Sequence, residues 1–437
     1  MNYAVHWFRR DLRLEDNHAL YEAIESGLKV KCIFILDTNI LSQLTENDKR
    51  VPFIYNRLEE IQNELKSIGS DLWVYVGKPL EILQKLTEDE NLKMVFTNRD
   101  YEPYAQKRDK AVYELLEDND ISFKGFKDQV IFDKDEILTQ NGTPYTVYSP
   151  YMRKWKATLE LDQVNYLQEF KIELNKENFL TSNQPTFPTL EFIGFKETEL
   201  PDLPLNLKNA EIKDYDEVRD IPSLDATTKI GTALRFGTFS IREAVKYAIK
   251  ENETFLNELI WREFFMQILY HFPKVQNHAF RDKYEGIAWR NNEEDFKLWC
   301  EGKTGYPLVD AGMRELNATG FMHNRVRMIT ASFLVKDLLI DWRWGEAYFG
   351  QKLMDFDLSS NNGNWQWAAG TGTDAAPYFR IFNPASQQKK FDPDFKYIQK
   401  WVPEFGTEDY PNEIVDHKEA RERCLTAYKK AISKFEI

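Results

Sequence analysis

The sequence predicts an α/β N-terminal domain built on a doubly wound parallel sheet, followed by an all-α C-terminal domain. Three observations predict it. Short β-rich runs alternate with helical patterns over roughly the first 130 residues, periodicity fades between about 131 and 210, and from about Tyr215 onward the apolar spacing is almost entirely helical. A chain of 437 residues also exceeds one ordinary core, which agrees with two domains. The expected boundaries are 1–130 for the α/β domain, 131–210 for a connector and 211–437 for the helical domain.

Taken in order, YAVHWF (3–8), VKCIFIL (30–36), DLWVYVG (71–77) and KMVFTN (93–98) read as strands. Their near-continuous Val, Ile and aromatic content is what parallel strands covered on both faces display. Between them VPFIYNRLEEIQNELKSIG has apolar residues at three-to-four spacing, a helix that crosses over the sheet. No GxGxxG follows the first strand, so the dinucleotide-binding fingerprint is absent. The stretch TSNQPTFPTLEF is rich in turn formers and reads as part of a connector along the surface. The clearest helix start comes later, where Ser240 and Glu243 make a capping box ahead of IREAVKYAIK.

Composition excludes several classes. There is no apolar run long enough to span a bilayer and no secretory pattern in MNYAVHWFRRDLR. Cys32, Cys300 and Cys424 lie far apart with no CxxC, which argues against a disulfide framework or structural zinc and suits a reducing cytoplasm. A net charge of −14 argues against nucleic acid as a partner, but a local patch can still carry such binding. Eight of the eleven tryptophans lie between Trp261 and Trp401, which fits either a site for planar rings or a large core.

Four segments hold candidate chemistry. On a helix, Glu258, Trp261, Arg262 and Phe265 in NELIWREFFMQIL share one face. By themselves they fit a partly buried Trp beside a local Glu–Arg pair more readily than a site. In TGFMHNRVRMITASFLV, Asn324 and Met328 share a face while Val326, Ile329 and Phe333 form the core face. Arg325 and Arg327 stand there without a neighbouring acid, either as solvated charges or as ligand contacts. In LMDFDLSSNNGNWQWAAGTGTD, Asp355 and Asp357 lack the His partners or loop-end Glu that a metal needs, so no metal is expected. Their carboxylates and the Asn amides suit the donor and acceptor edge of a ring system. Finally, Thr227 and Thr228 supply hydroxyls ahead of a helix, where phosphate is bound or a cap is formed.

Together these segments resemble the photolyase/cryptochrome family across nearly the whole chain. HWFRRDLRLEDNHAL is similar to its N-terminal antenna-domain signature, and YTVYSPYMRKW to its interdomain element. EGKTGYPLVDAGMRELNATGFMHNRVRMITASFLVKDLLIDW and NWQWAAGTGTDAAPYFRIFNP are long, specific matches, nearest to the class I cyclobutane pyrimidine dimer (CPD) DNA photolyases. The resemblance implies the photolyase/cryptochrome fold with an FAD-binding C-terminal domain. It implies FAD held non-covalently and active in its reduced form, UV-damaged DNA as partner, and a light-driven carbon–carbon lyase that repairs a flipped-out dimer by electron transfer. It also implies a second, antenna chromophore in the N-terminal domain.

Position by position, the resemblance assigns Tyr215, Thr227 and Thr228 to the diphosphate side of the flavin, with Lys229, Ile230, Gly231 and Thr232 continuing that loop. Gly231 stands where the family carries a third hydroxyl, and Thr232 is next to it. Phe255, Asp355, Phe356 and Asp357 are further flavin contacts, Arg327 is the partner of Asp355, and Asn361 faces the flavin N5. Glu258, Trp261, Met328 and Trp367 match the dimer pocket; Arg219, Arg262, Asn324 and Arg325 match positions near lesion or phosphate. Trp365, Trp342 and Trp289 match the electron-hopping chain from flavin to surface. Trp365 would thus lie against the flavin and Trp367 would wall the dimer.

Rival functions inside the resemblance are weaker. Repair of (6-4) photoproducts needs a histidine where this chain has Asn324 and Met328. A signalling cryptochrome often changes the residue near N5 and carries a long tail, whereas Asn361 is kept and the chain stops soon after WVPEF. WQW rather than WQY argues against the DASH type. Folate-binding members carry Cys-Lys where Val275 and Gln276 stand, which argues against folate and leaves deazaflavin, a flavin or no antenna, with Glu102 as a candidate contact. A monomer in the cytoplasm, associated with the nucleoid through DNA and not with a membrane, is expected.

Overall fold

A computed structural model describes residues 1–181, 187–208 and 210–435, so residues 182–186 of the Asn- and Pro-rich stretch lie outside the described residues. The chain divides into two compact units. The first comprises residues 1–137, 155–209 and 229–250; the second comprises 138–154, 210–228 and 251–437. Parts of the 131–210 stretch therefore belong to each.

In the first unit the four anticipated runs are β1 (Tyr3–Phe8), β2 (Lys29–Asp37), β3 (Leu72–Gly77) and β4 (Leu92–Asn98). They form a parallel sheet of order β3-β2-β1-β4-β5, in which Val5 pairs with Lys31 on one side and Val95 on the other. The fifth strand, β5 (Ser122–Phe126), was not anticipated from SFKGF. It is a half-exposed edge strand, so selection for a continuous apolar run is absent there.

Four crossover helices cover the sheet: α1 (His18–Glu25), α2 (Arg50–Ser67), α3 (Pro79–Leu86) and α4 (Pro103–Glu117). Alternation along each strand decides which helix meets which residue. Ala4, Phe8, Cys32 and Phe34 pack with Leu20 of α1 and Leu58 and Ile61 of α2. Val5, Trp7, Ile33 and Ile35 pack on the other face with Leu83 of α3 and Val112 and Leu116 of α4. Both faces are buried, which is why these strands read as unbroken apolar runs.

The RDLR turn after β1 is locked by a buried ion network. Arg13 grips both oxygens of Asp128 at 2.8 and 2.7 Å, and Arg242 reaches Asp128 at 2.9 Å and Asp16 at 3.0 Å. Burial alone would raise the Asp128 carboxyl, but the two guanidiniums outweigh it and hold it below the ordinary carboxylate range. Ser240 donates to Asp16, and its hydroxyl accepts the Arg242 N–H at 3.2 Å, starting helix α7 (Ile241–Glu251); α5 (Tyr148–Leu161) and α6 (Gly231–Phe236) precede it.

Helix α5 falls within the stretch expected to be a connector. Tyr148, Tyr151, Trp155 and Leu159 are buried at helical spacing. Pro150 interrupts the pattern but sits in the first turn, where its missing N–H costs nothing.

The second unit is helical throughout its regular part. It contains α8 (Glu253–His271), α9 (Pro307–Thr319), α10 (Asn324–Ser332), α11 (Trp342–Lys352), α12 (Leu358–Ala369) and α13 (His417–Phe435). Its core includes Val326, Ile329 and Phe333, the face anticipated for α10, with Trp299, Trp342 and Trp365. A π-helical turn (Phe333–Asp337) follows α10 and turns Lys336 inward. Lys336 Nζ and Tyr428 Oη both donate to the Ala369 carbonyl, each at 2.7 Å, so the end of α12 is fixed from two sides. Among the described residues no helix is long and apolar enough to cross a membrane.

Removing one member of the Asp128 network leaves buried charge uncompensated. Asp128→Ala is expected to destabilise the first unit by about 3–5 kcal/mol, read as a lowered urea midpoint. A loss under about 1 kcal/mol would show that Asp16 and solvent suffice for both arginines.

Candidate functional site

The helix that carries most of the predicted site is α12, and its sequence explains its position. Asp357 caps it, accepting the Ser360 N–H at 3.1 Å and the Ser359 hydroxyl. Gly370 (φ +80) ends it in the left-handed conformation that glycine adopts without strain. Between these ends Gly363 lies so close to Phe265 of α8 that any Cβ would enter the phenyl ring. A Cβ on Gly345 of α11 would likewise enter the Trp365 indole. The run SSNNGNWQWAA is therefore a helix pressed between two others, its glycine giving close approach rather than a turn.

That packing opens a cleft lined from α10, α11, α12 and the loop before α12. Phe349, Leu353, Phe356 and Trp365 supply its apolar walls. Arg327, Asp355, Asp357 and Asn361 supply its polar edge. Asn324, Met328 and Trp367 line the same space. Arg327 binds Asp355 through both nitrogens at 3.1 and 2.9 Å while its Nε donates to the Met322 carbonyl at 2.7 Å. The Asn361 amide nitrogen donates to the Glu346 carbonyl at 3.1 Å, which turns its amide oxygen away from Glu346. Trp365 is 2% exposed, edge-on to Phe349 at 4.9 Å, and Trp367, two residues along the helix, is half-buried.

Helix α10 begins at Asn324 because the His323 Nδ1 accepts the Arg325 N–H at 3.2 Å. Burial lowers His323 to about 4, so the ring stays neutral and keeps that acceptor.

A second group gathers around α8. Arg219 NH1 meets Glu258 at 2.5 Å and stands over the Tyr215 ring, which is edge-on to Phe255 at 5.2 Å. Burial, then Glu258, raises the Tyr215 phenol to about 12. Trp261 lies on the same helix, stacked on Tyr148. Arg325 is held by Asp220 at 2.6 Å and covers the Phe391 ring. Arg262 is half-buried on α8.

In the loop residues, the Thr227 hydroxyl is buried without a hydrogen-bond partner, an orphan that a phosphate or hydroxyl-bearing ligand would satisfy. Thr228 follows it in the second unit; Lys229 (φ +50), Ile230, Gly231 and Thr232 open α6 in the first. Trp342 is buried, and Trp289 is partly buried and edge-on to Tyr428 at 6.0 Å. In the first unit Glu102 follows β4, beside the β1/β4 reversal of strand order, and accepts from Arg10 at 2.9 Å and Arg235 at 2.6 Å. Val275, standing in the folate pair's position, is buried, and its carbonyl accepts from Asn362 and Gln366.

Sequence reasoning missed Asp220, Tyr148, Glu346, Ser360 and Asn364. Ser360, Asn361, Asn364, Trp365 and Ala368 recur at three-to-four spacing, a stripe visible once the Asn/Gly run is treated as a helix. Asp220 and Tyr148 come from distant segments and leave no local signal.

The apolar walls and polar edge of the cleft suit a flat, polar-edged group, and the orphaned Thr227 hydroxyl, on a separate loop, suits a hydroxyl or phosphate. The comparisons with known proteins are specific on this point. Residues 255–407 match the FAD binding domain of DNA photolyase, and residues 4–170 match DNA photolyase. Deoxyribodipyrimidine photo-lyases of Synechococcus and Escherichia coli are each 36% identical, covering 97% of this chain and 95% and 98% of their own. A bacterial class III photolyase from Agrobacterium tumefaciens superposes with a TM-score of 0.87 at 33% identity, covering 99% of this chain and 98% of that one. An archaeal photolyase from Sulfolobus tokodaii with two FAD molecules gives 0.83 at 34%, covering 98% of this chain and 100% of that one. The chain belongs to the photolyase/cryptochrome family and carries its FAD-binding domain.

Glu346 lies behind Asn361 and Asn362, and burial pushes its carboxyl up to about 7 against the Asn362 bond and Arg343. The folded state then holds this proton more tightly than the unfolded chain, so the group's contribution to stability falls as pH rises through its unfolded and then its folded value. Glu346→Gln removes that dependence. The thermal midpoint of the variant minus that of the wild type should grow in the variant's favour between about pH 5 and pH 8. A difference independent of pH would mean that Glu346 does not titrate in this range.

Proposed function

We propose that the protein is a light-driven deoxyribodipyrimidine photo-lyase that repairs cyclobutane pyrimidine dimers in DNA. One observation carries the reading: a single cleft brings Arg327, Asp355, Asp357, Asn361 and Trp365 together with Asn324, Met328 and Trp367. The first set would hold FAD and the second the dimer. Relatives that are themselves named deoxyribodipyrimidine photo-lyases support it over nearly the full chain.

When bound, reduced FAD supplies the photoexcited electron that opens the cyclobutane ring and takes it back, so repair is redox-neutral. The chain's own residues bind and orient. The Arg327–Asp355 pair and Asp357 would present charge and acceptors to the ring's polar edge, and Asn361, whose amide nitrogen donates to the Glu346 carbonyl, would accept from a ring N–H through its oxygen. Thr227 and Thr228 serve the phosphates, supported by the unsatisfied Thr227 hydroxyl. Trp365, with Trp342 and Trp289 beyond it, would carry charge outward when oxidised flavin is reduced.

Trp261, Trp367 and Met328 form the dimer's walls, with Glu258 and Asn324 as hydrogen-bonding partners. An extruded dimer suits such a cleft because a lesion already distorted in the duplex costs less to unstack than a normal base. Arg219 and Arg325 serve nearby phosphates and stand opposite acids of the protein itself, Glu258 and Asp220. The molecule acts as a monomer in a reducing compartment, in keeping with its three free cysteines.

The reading is tested with a thymine-dimer oligonucleotide and the purified, reduced protein, in blue light against dark. Intact thymines are expected only in the light. No repair, with reduced FAD bound and dimer DNA in excess, would overturn the reading in favour of light sensing. Trp367→Ala is expected to weaken dimer binding by about tenfold, the scale of one lost base–aromatic stack, while flavin content stays intact. Loss of flavin instead would show that Trp367 serves the cofactor side.

A further inference from the structure

We propose that Tyr148 is a positioning residue for Trp261: it covers one face of the indole and fixes its plane, leaving only the opposite face to a flat ligand. The inference rests on the reading of Trp261 as a wall of the dimer site.

The two rings lie 3.6 Å apart between centroids and 6° from parallel. That leaves almost no lateral offset, an arrangement aromatic pairs avoid because their quadrupoles repel when stacked face to face. Something other than ring–ring attraction must hold it, and the structure identifies three such contacts. The phenol hydroxyl donates to the Asn257 carbonyl at 2.8 Å, one helical turn ahead of Trp261 on α8. The Tyr148 N–H donates to Asp374 at 3.0 Å. The Thr373 hydroxyl donates to the Thr146 carbonyl at 2.6 Å. Burial raises the Tyr148 phenol above its ordinary value, so the hydroxyl remains a donor across the working pH range.

Asp374 and Thr373 belong to the loop that leaves α12, the helix of Trp367. Arg281 steadies this loop by donating to the Thr373 carbonyl at 3.0 Å. The segment that carries Trp367 therefore also grips the ring behind Trp261. The two tryptophans, far apart in sequence, are set by one hydrogen-bonded path. Trp261 also meets Phe264 edge-on at 5.6 Å and Phe265, inclined by 29°, at 5.4 Å. Tyr148 is 7% exposed while Trp261 is only half-buried, so the phenol is the support and the indole the surface.

The test measures, in the dark and with flavin-loaded protein, the ratio of dissociation constants for an undamaged oligonucleotide and the same oligonucleotide with one thymine dimer. Tyr148→Leu should cut this preference about tenfold, and Tyr148→Phe, which keeps the ring and its backbone tether to Asp374 but loses the hydroxyl's bond to Asn257, should cut it less. A double-mutant cycle separates positioning from plain packing. In a Trp261→Ala background, adding Tyr148→Leu should change the preference less than about twofold. Equal losses in both backgrounds would overturn the inference, as would full preference in Tyr148→Leu while Trp261→Ala loses it. Wild-type preference in Trp261→Ala would take down the dimer-wall reading and this inference with it. Should Tyr148→Leu lose its flavin, Asp374→Ala, which removes one of the ring's holds and keeps the ring, takes its place in the cycle, with a smaller loss expected beside Trp261 and less than about twofold in the Trp261→Ala background.

Discussion

The site depends on how closely α12 can approach its neighbours. At Gly363 and Gly345 the space that a Cβ would need is already filled, by Phe265 and by Trp365. Interiors are packed to near-crystalline density, so an added methyl there displaces a whole helix and not just one ring. Because α12 sits where it does, Trp365, buried against Phe349, joins Asn361, Asn364 and Trp367 in lining one cleft. The end of the same helix is held by Lys336 and Tyr428, and its following loop reaches Thr146 and Tyr148. One helix position thus sets the lining of the cleft and the ring behind Trp261.

In an acidic chain, a phosphate-bearing group can be bound only through local charge. The net charge of −14 describes the whole surface, whereas binding is decided by charges within about a Debye length of the ligand. Arg219 and Arg325 are each held by one acid, at 2.5 and 2.6 Å, so they are already oriented before any ligand arrives. Arg327 is committed differently, to Asp355 and the Met322 carbonyl together, which fixes it as part of the cleft's polar edge. The buried network of Arg13, Arg242, Asp16 and Asp128 is separate again. It locks the turn after β1 in the first unit and takes no part in the cleft.

Much was legible because local pattern and buried environment coincide. The four central strand runs are apolar throughout because both sheet faces are covered, and Val326, Ile329 and Phe333 face the core at the spacing a helix requires. What escaped follows equally physical rules. β5 is a half-exposed edge strand and shows no apolar run; α5 is masked by Pro150 and its polar surroundings. The run around Trp365 is rich in Asn, Ser and Gly, which have low helix propensity, but tertiary packing overrode that preference and made a helix.

By itself, the sequence determined the fold class, the helical face of α10, and through its long motifs the family. These rest on spacing and on unbroken runs, which a chain carries without being folded. Only the tertiary structure decided that Arg327 meets Asp355, that Asp220 holds Arg325, and that Tyr148 lies flat behind Trp261. Asp220 and Arg325 stand 105 positions apart, so no local periodicity can announce their contact. Such contacts exist because helices from distant segments must share one core, and the close approach allowed at Gly363 and Gly345 fixes where their side chains meet.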